Sequence, residues 1–419
     1  MRKLLAAGIL GALFLVLLGS ATVHVQRVKN RALSLKLVTL SGTVDQTALD
    51  AAVAAWAPGS PLVLARGTVV TGFAVFDGAH SAGLRITGPP RGPLPVWQAP
   101  VLSSVVGNDA NNCATGFTCQ NEDNRPLVCL ADASSPGAAC TGSGTAPNGV
   151  VIDRIHFDGR KDQQPVPRPQ DCIASATCAH RHEGRAIYLN AGTGHKVRNV
   201  TVRDVSDVGI LVRNAAQVEV DAADIDGRGA EVDAASPDGI GCPATGSPCG
   251  ALWASVPGLF AASGRQTDGY GIQINDRADD AYVHDGTVGY ATKHGVELFG
   301  VPGGCSAPNR SALGRVERMT LGSSLVANQH CSPTMRDNTV TGVRISGEEA
   351  LAVAEGIVVA GDSGGALVVG NVVTDVQGDG INLSDTGDNH EFDRNRVTDA
   401  CATTTLTCAS FAIASGATA

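Results

Sequence analysis

Asn371-Val372-Val373-Thr374-Asp375 returns 24 residues later as Asn395-Arg396-Val397-Thr398-Asp399, and shorter copies stand at Asn199-Val200-Thr201-Val202 and Asn338-Thr339-Val340-Thr341. A second word interleaves with the first: Ala186-Ile187-Tyr188-Leu189, Gly209-Ile210-Leu211-Val212, Gly271-Ile272-Gln273-Ile274, Gly295-Val296-Glu297-Leu298 and Gly380-Ile381-Asn382-Leu383. Ile187 to Ile210 spans 23 residues and Ile272 to Val296 spans 24. A repeat of that length, built from short alternating β-branched runs, is one turn of a solenoid. Asn tolerates left-handed backbone, which predicts one Asn at a tight corner of each turn. Asn side chains stacked at one corner can also bond to each other along the axis.

The rest of the chain fits a coil. Glycine is abundant, at 51 residues, and aromatics make up only 4%. Small and β-branched side chains fill a narrow interior, and glycine turns the corners. A β-sandwich of short strands is the competing architecture, but a sandwich needs no fixed coil length. The run Asp45-Gln46-Thr47-Ala48-Leu49-Asp50-Ala51-Ala52-Val53 reads as a short helix with Asp45 at its N-cap. Strand-like segments follow at Pro61-Leu62-Val63-Leu64, Thr68-Val69-Val70 and Leu84-Arg85-Ile86-Thr87.

From about Gly42 onward this pattern resembles the right-handed parallel β-helix of the pectate-lyase-like (pectin lyase-like) superfamily. The resemblance implies an all-β solenoid with an N-terminal helix capping the first coil. It also implies long turn insertions that carry specificity, and action on polysaccharides. We expect one β-helix domain over residues 33–419, interrupted by insertions at about 108–147, 161–181 and 229–268 and closed by a C-terminal cap at about 401–419. Fold alone names no reaction.

Residues 1–26 read as an export signal or an N-terminal membrane anchor: Arg2-Lys3, an apolar run from Leu4, then Gly19-Ser20-Ala21. An exported chain with an even cysteine count is expected to form disulfides. Proximity pairs Cys113 with Cys119, Cys129 with Cys140, Cys172 with Cys178, Cys242 with Cys249, Cys305 with Cys331 and Cys401 with Cys408. The absence of any Cys-x-x-Cys spacing argues against a zinc site. With 31 Lys plus Arg against 40 Asp plus Glu, the net charge of −9 argues against nucleic acid as a partner. The expected partner is a polysaccharide, met by a monomer.

Strand alternation turns Ile187 and Leu189 inward and Tyr188 outward. The same reading places Gln273, Glu297 and Asn382 on the outer face, with Arg185, Tyr270, Asn275, Asp276, Lys293, His294 and Asp379 beside them. Stacked coils would bring these into one polar stripe. Such a mixture suits uronate chemistry, in which a base removes the C5 proton and a positive partner neutralises the carboxylate. Lys293, His294, Glu297 and Tyr270 are the candidate catalytic residues. Arg185, Tyr188, Gln273, Asn275 and Trp253 are the candidate substrate contacts. The sequence names no definite cofactor; Ca²⁺ is the candidate, with Asp276 as its ligand. The plain alternative is a solvated polar face on a non-catalytic glycan-binding or adhesion protein.

Other motifs compete. A second polar group, Asp153, His156, Asp158, Arg160 and Asp162 with His180, His182, Glu183 and Arg185, could bind a metal or serve acid–base chemistry, though turn polarity accounts for it as well. Asn275-Asp276, Asp279-Asp280 and His294-Gly295 resemble signatures of polygalacturonase-type hydrolases. Those signatures sit on successive coils, whereas here both acidic groups lie close together, so paired-carboxylate hydrolysis is the lesser reading. The Tyr-Gly-x-Asp-Pro-His motif of mannuronan epimerases is absent, since Tyr270-Gly271 is followed by Ile272. Gly361-Asp362-Ser363-Gly364-Gly365 matches the nucleophile segment of trypsin-like proteases, but the partner histidine segment of that family is missing.

Overall fold

A computed structural model describes residues 38–55, 60–76, 83–100, 126–130, 147–160, 185–205, 208–226, 270–289, 291, 294–343, 355–400 and 409–413. These form one α-helix, Gln46–Ala55, and three sheets of 11, 11 and 10 strands in which every pairing is parallel. Strands of the first, second and third sheets alternate along the chain, so each coil adds one strand to each sheet. That is a parallel β-helix. Residues 1–26, Trp56, Trp253 and Lys293 lie outside the described residues.

The interior is filled by stacked columns. Ile187, Ile210, Ile272, Val296, Leu325, Ile357 and Ile381 stand in one register on the third sheet, and each is at most 1% exposed. The recurring glycine just before this column has a packing cause. A Cβ on Gly271 would meet the Gly295 carbonyl and Val288 Cγ1 at 2.5 Å each, and one on Gly380 would meet Val397 Cγ1 at 2.2 Å. The second sheet presses its branched side chains against this column, so side chains larger than hydrogen are squeezed out.

The corner between the first and second sheets departs from expectation in an instructive way. A left-handed residue recurs there, at Arg154, Asn199, Ala222, Asp285, Arg318, Asp337, Gly370 and Arg394, with φ between 51° and 70°. Only Asn199 among the repeated Asn residues occupies it. Asn338, Asn371 and Asn395 follow it, where the side chain turns inward. There the Asn338 Nδ2 donates to Asn371 Oδ1 at 3.0 Å, and Asn371 Nδ2 to Asn395 Oδ1 at 2.9 Å. The same oxygens accept the backbone N–H groups of Asn338 and Asn371. A left-handed L-residue costs roughly 1–2 kcal/mol, and the corner offsets this with its own backbone ladder. Arg154 N–H donates to Arg198 O, Ala222 N–H to His284 O and Asp337 N–H to Val369 O.

At the other end of the chain, Asp45 Oδ1 accepts the Ala48 N–H at 2.9 Å and starts the helix. Leu49 is fully buried in the core, with Ala52 and Val53 packed beside it. Gln46 clamps Phe73, donating to its carbonyl at 2.9 Å and accepting its N–H at 2.8 Å.

Of the six expected disulfides, one falls wholly within the described residues, and it forms as expected: Cys305 is bonded to Cys331, 26 residues away. Cys129 is also disulfide-bonded. Its expected partner Cys140 lies outside the described residues, as do both members of the remaining pairs: Cys113 and Cys119, Cys172 and Cys178, Cys242 and Cys249, Cys401 and Cys408. The apolar strand Val128–Leu130 lies within the stretch 108–147 and pairs with the third sheet, so coil structure continues inside that stretch. Phe411–Ile413, within 401–419, likewise adds a strand to the third sheet.

Candidate active site on the outer face of the third sheet

Register fixes three outward columns on the third sheet. The central column runs Val75, Cys129, Tyr188, Leu211, Gln273, Glu297, Val326, Val358, Asn382 and Ala412. One flank carries Val208, Tyr270 and His294; the other carries Asn190, Arg213, Asn275, Phe299 and Asn328. The pleat gathers Tyr188, Gln273, Glu297, Arg213 and Asn275, whereas Tyr270 and His294 share the parity of inward Ile272 and Val296 and join this face because the glycine between them, whose Cβ direction points into the core, interrupts the alternation.

The gathering is closest around Glu297. Gln273 Nε2 donates to Glu297 Oε2 at 2.8 Å. His294 Nε2 lies 3.9 Å from Glu297 Oε1. The Tyr270 and His294 rings meet at 5.6 Å between centroids. His294 and Glu297 are only 6% and 4% exposed, whereas Tyr270 is half-buried. An imidazole set between a tyrosine ring and a carboxylate can take up, hand on and release a proton.

Among the described residues, positive charge stands two coils away at Arg213 and three coils away at Arg185. The Arg185 guanidinium lies over the Tyr188 ring, 5.7 Å from its centroid. Arg213 is paired with the Asp276 carboxylate and stands beside the Tyr188 hydroxyl. Tyr188 points outward as expected but is 5% exposed, gathered with Cys129, Val208 and Leu211 into an apolar cluster outside the coil. Asn275 Oδ1 accepts the Asp276 N–H at 2.7 Å, a turn contact. Asp279 and Asp280 lie past the corner: Asp279 Oδ1 accepts the Ala312 N–H, and Asp280 faces Arg315 at 3.4 Å. The three carboxylates resembling the hydrolase signature thus do not converge.

Sequence reasoning missed Glu355. It stands on the column of Asp379, because Ile357 pairs with Ile381. Asn382 Nδ2 donates to Glu355 Oε1 at 2.7 Å and to Asp379 Oδ2 at 3.3 Å. Burial pushes the Glu355 carboxyl up to about 7; the Asn382 hydrogen bond pulls against this and the Asp379 charge adds to it. The signal was there in Glu355-Gly356-Ile357-Val358-Val359, another copy of the glycine–isoleucine word.

Elsewhere polar groups serve the fold. At the edge of the first sheet, on its corner with the second, Arg318 donates to both Asp285 oxygens at 2.7 Å, and with His284 it holds that carboxyl well below the usual carboxylate range. Asp221, His284 and Asp285 are the one grouping of three metal-type ligands found among the described residues, and the Arg318 guanidinium already engages the Asp285 carboxylate. Ser363 is fully buried. Its hydroxyl donates to Ala360 O and accepts the His330 N–H, while its own N–H donates to the Asp385 carboxylate. It is a bracket of the corner, not a nucleophile. Trp97 is fully buried, donating to Gly72 O at 2.9 Å. In the second polar group, Asp153 and His156 lie on different sheets, and burial lowers the His156 imidazole. Asp162, His180, His182 and Glu183 lie outside the described residues.

No protein-family model matches this sequence, and no curated protein does. Among solved structures it is similar to ORF18 of Geobacillus virus E2, with a TM-score of 0.55 at 11% identity over 93% of this chain and 62% of that one. The chain therefore spans under two thirds of that protein's length. It also aligns with an alginate lyase from Paenibacillus sp. str. FPU-7, at TM-score 0.41 and 11% identity over 90% and 98% of the two chains. An endo-xylogalacturonan hydrolase from Aspergillus tubingensis gives 0.46 and 12%, over 89% and 95%. What the likeness to the viral protein shows, at 11% identity, is a shared fold alone.

Proposed function

We propose that this chain is an exported carbohydrate-active enzyme, a lyase that cleaves a uronate-containing polysaccharide by β-elimination on the outer face of the third sheet. The observation that carries the reading is the contact of Tyr270, His294 and Glu297 beside Gln273, two coils from Arg213. His294, oriented by Glu297, takes the C5 proton. The freed electron pair forms the C4–C5 double bond, the C4–O4 bond breaks, and the departing O4 takes a proton from the Tyr270 hydroxyl. Arg213, Arg185 and Lys293, the residue preceding His294, are the candidates to balance the uronate carboxylate. With Asp276 engaged by Arg213, the positive charge comes from the guanidinium, and chelation of divalent cations is expected to leave the rate unchanged. The helix Gln46–Ala55, through buried Leu49, closes the first coil. Export accords with the basic, apolar start of the sequence and with the Cys305–Cys331 disulfide. No helix among the described residues is long and apolar enough to cross a membrane.

The test is incubation with a panel of uronate polymers while following ultraviolet absorbance of the unsaturated product, with and without a chelator. Product formation that disappears in Tyr270→Phe and Lys293→Ala supports these roles. The near-complete burial of His294 and Glu297 favours one second reading, a non-catalytic glycan-binding face. Saturable binding of a polymer without product across the panel would establish that reading instead.

A further inference from the structure

Among the described residues, the outward columns of the third sheet change sign along the solenoid axis. Among their described residues, the cations are Arg185 and Arg213, on the coils of Ile187–Asn190 and Val208–Arg213. The carboxyls are Glu297, Glu355 and Asp379, all on later coils. Four register steps of ~4.8 Å separate the Arg213 coil from the Glu355 coil, roughly 19 Å, the reach of a short oligosaccharide. Outward Val326 and Val358 lie between Glu297 and Asn382, so the polar groups form two nests and not one continuous stripe.

The far nest has a chemistry of its own. Asn382 bridges Glu355 and Asp379 through one amide nitrogen, and all three are half-buried on the outer face. Two carboxyls sharing one amide hydrogen-bond to hydroxyl groups readily. Above about pH 7, where the raised Glu355 carboxyl is ionised, an anionic sugar brought against them meets like charge in a half-buried setting, where water screens the repulsion less than in the open. At the other pole, Arg185 and the part-neutralised Arg213 are matched to a carboxylate.

We propose that this is a charge-graded face that selects a mixed polysaccharide, seating a uronate at the Arg185–Arg213 pole and a neutral sugar at the Glu355–Asn382–Asp379 pole. The inference rests on the reading of the third sheet's outer face as the glycan site and names its substrate class. Glu355 and Asp379 act here as specificity residues, by repelling a homopolymer of uronates at the second position.

The experiment compares kcat/KM and calorimetric binding for two oligosaccharides of equal length, one all uronate and one alternating uronate with neutral hexose. The full chain and its Glu355→Gln and Asp379→Asn variants are used; both changes keep side-chain shape and a hydrogen-bond acceptor. The unaltered protein is expected to prefer the alternating oligomer by about tenfold. Each variant is expected to improve the all-uronate oligomer several-fold and to weaken the alternating one, whose neutral sugar loses a carboxylate partner, so the ratio narrows from both sides. Equal use of both oligomers by the unaltered protein overturns the gradient, even if both variants fail to fold. So do folded variants whose ratio matches that of the unaltered protein. Failure to bind or cleave either oligomer instead overturns the underlying assignment of the face.

Discussion

The first and third sheets share one coil and one pleat, yet their outer faces differ in kind. On the first sheet and its edge, neighbouring coils answer charge with charge. Lys196 and Arg198 both reach Glu219 at 2.7 Å, Arg318 grips Asp285 and touches Glu317 at 3.1 Å, and Arg315 stacks over Tyr282 at 4.4 Å. On the third sheet, Glu297 is bonded to a glutamine, Glu355 to an asparagine, and the face is largely withdrawn from water. Both faces are polar in sequence. What separates them is cover and the kind of neighbour: charge against charge in the open on one, carboxyl against amide under cover on the other. An exposed ladder of opposite charges stabilises neighbouring strands. Carboxyls drawn out of water change their hold on a proton, which is how a site for chemistry differs from a solvated face.

The comparison can be broken most sharply through turnover. Replacing His294 with Ala should lower kcat by roughly 10²–10⁴-fold, the usual contribution of a positioned acid or base. Arg318→Ala, at the edge of the first sheet, should leave kcat within about twofold of the unaltered protein. Equal losses from both would erase the distinction between the faces.

A smaller effect probes the interior that both faces share. Asn371→Ala removes the acceptor for Asn338 N–H and Nδ2 and the donor to Met335 O. Each unsatisfied buried group costs about 1–3 kcal/mol, so denaturant melts should show a loss of several kcal/mol, on the order of 3, while the glycan site is untouched.

The two faces should also respond to pH in opposite directions. Glu355 in the folded chain titrates near 7, above its ordinary carboxyl value of 4.5, because burial disfavours its charge. Its contribution to stability is therefore fully present below about 4.5 and is lost as pH rises through about 7. Asp285 is shifted down by Arg318, so its contribution is present above 3.8 and is lost as pH falls toward its lower folded value. Stability measured across this range should fall between pH 4.5 and 7 through Glu355, and Glu355→Gln should flatten that slope, by on the order of 1–3 kcal/mol. The smallest expected effect is the stability change of Arg318→Ala. Its ion pair is nearly half exposed, and such pairs contribute about 0–1 kcal/mol.

The coil was legible because two constraints write themselves into sequence at fixed spacing. The Val288 and Val397 side chains exclude a Cβ at Gly271 and Gly380, and the inward corner position stacks Asn338, Asn371 and Asn395. The left-handed residue was misplaced by one position, because the hydrogen bonds that hold it come from backbone and leave no preferred side chain: Arg, Ala and Asp all occupy it. The outward columns followed from alternation, which is why Tyr188, Gln273 and Glu297 stand on one face. Their burial did not follow, since periodicity fixes direction and not cover. Glu355 escaped notice because its partners Asp379 and Asn382 are a coil away in sequence, and only the parallel register brings them together.

The most direct test of the outer-face assignment is the crystal structure of full-length Glu297→Gln with a bound oligouronate, the substitution keeping the side-chain shape while removing its charge. The account predicts sugar density along the columns of Tyr188, Gln273 and Glu297, with a carboxylate within hydrogen-bond reach of Arg213 or Arg185. Sugar seated on the first sheet's charged ladder, with the third sheet's outer face bare, would contradict it.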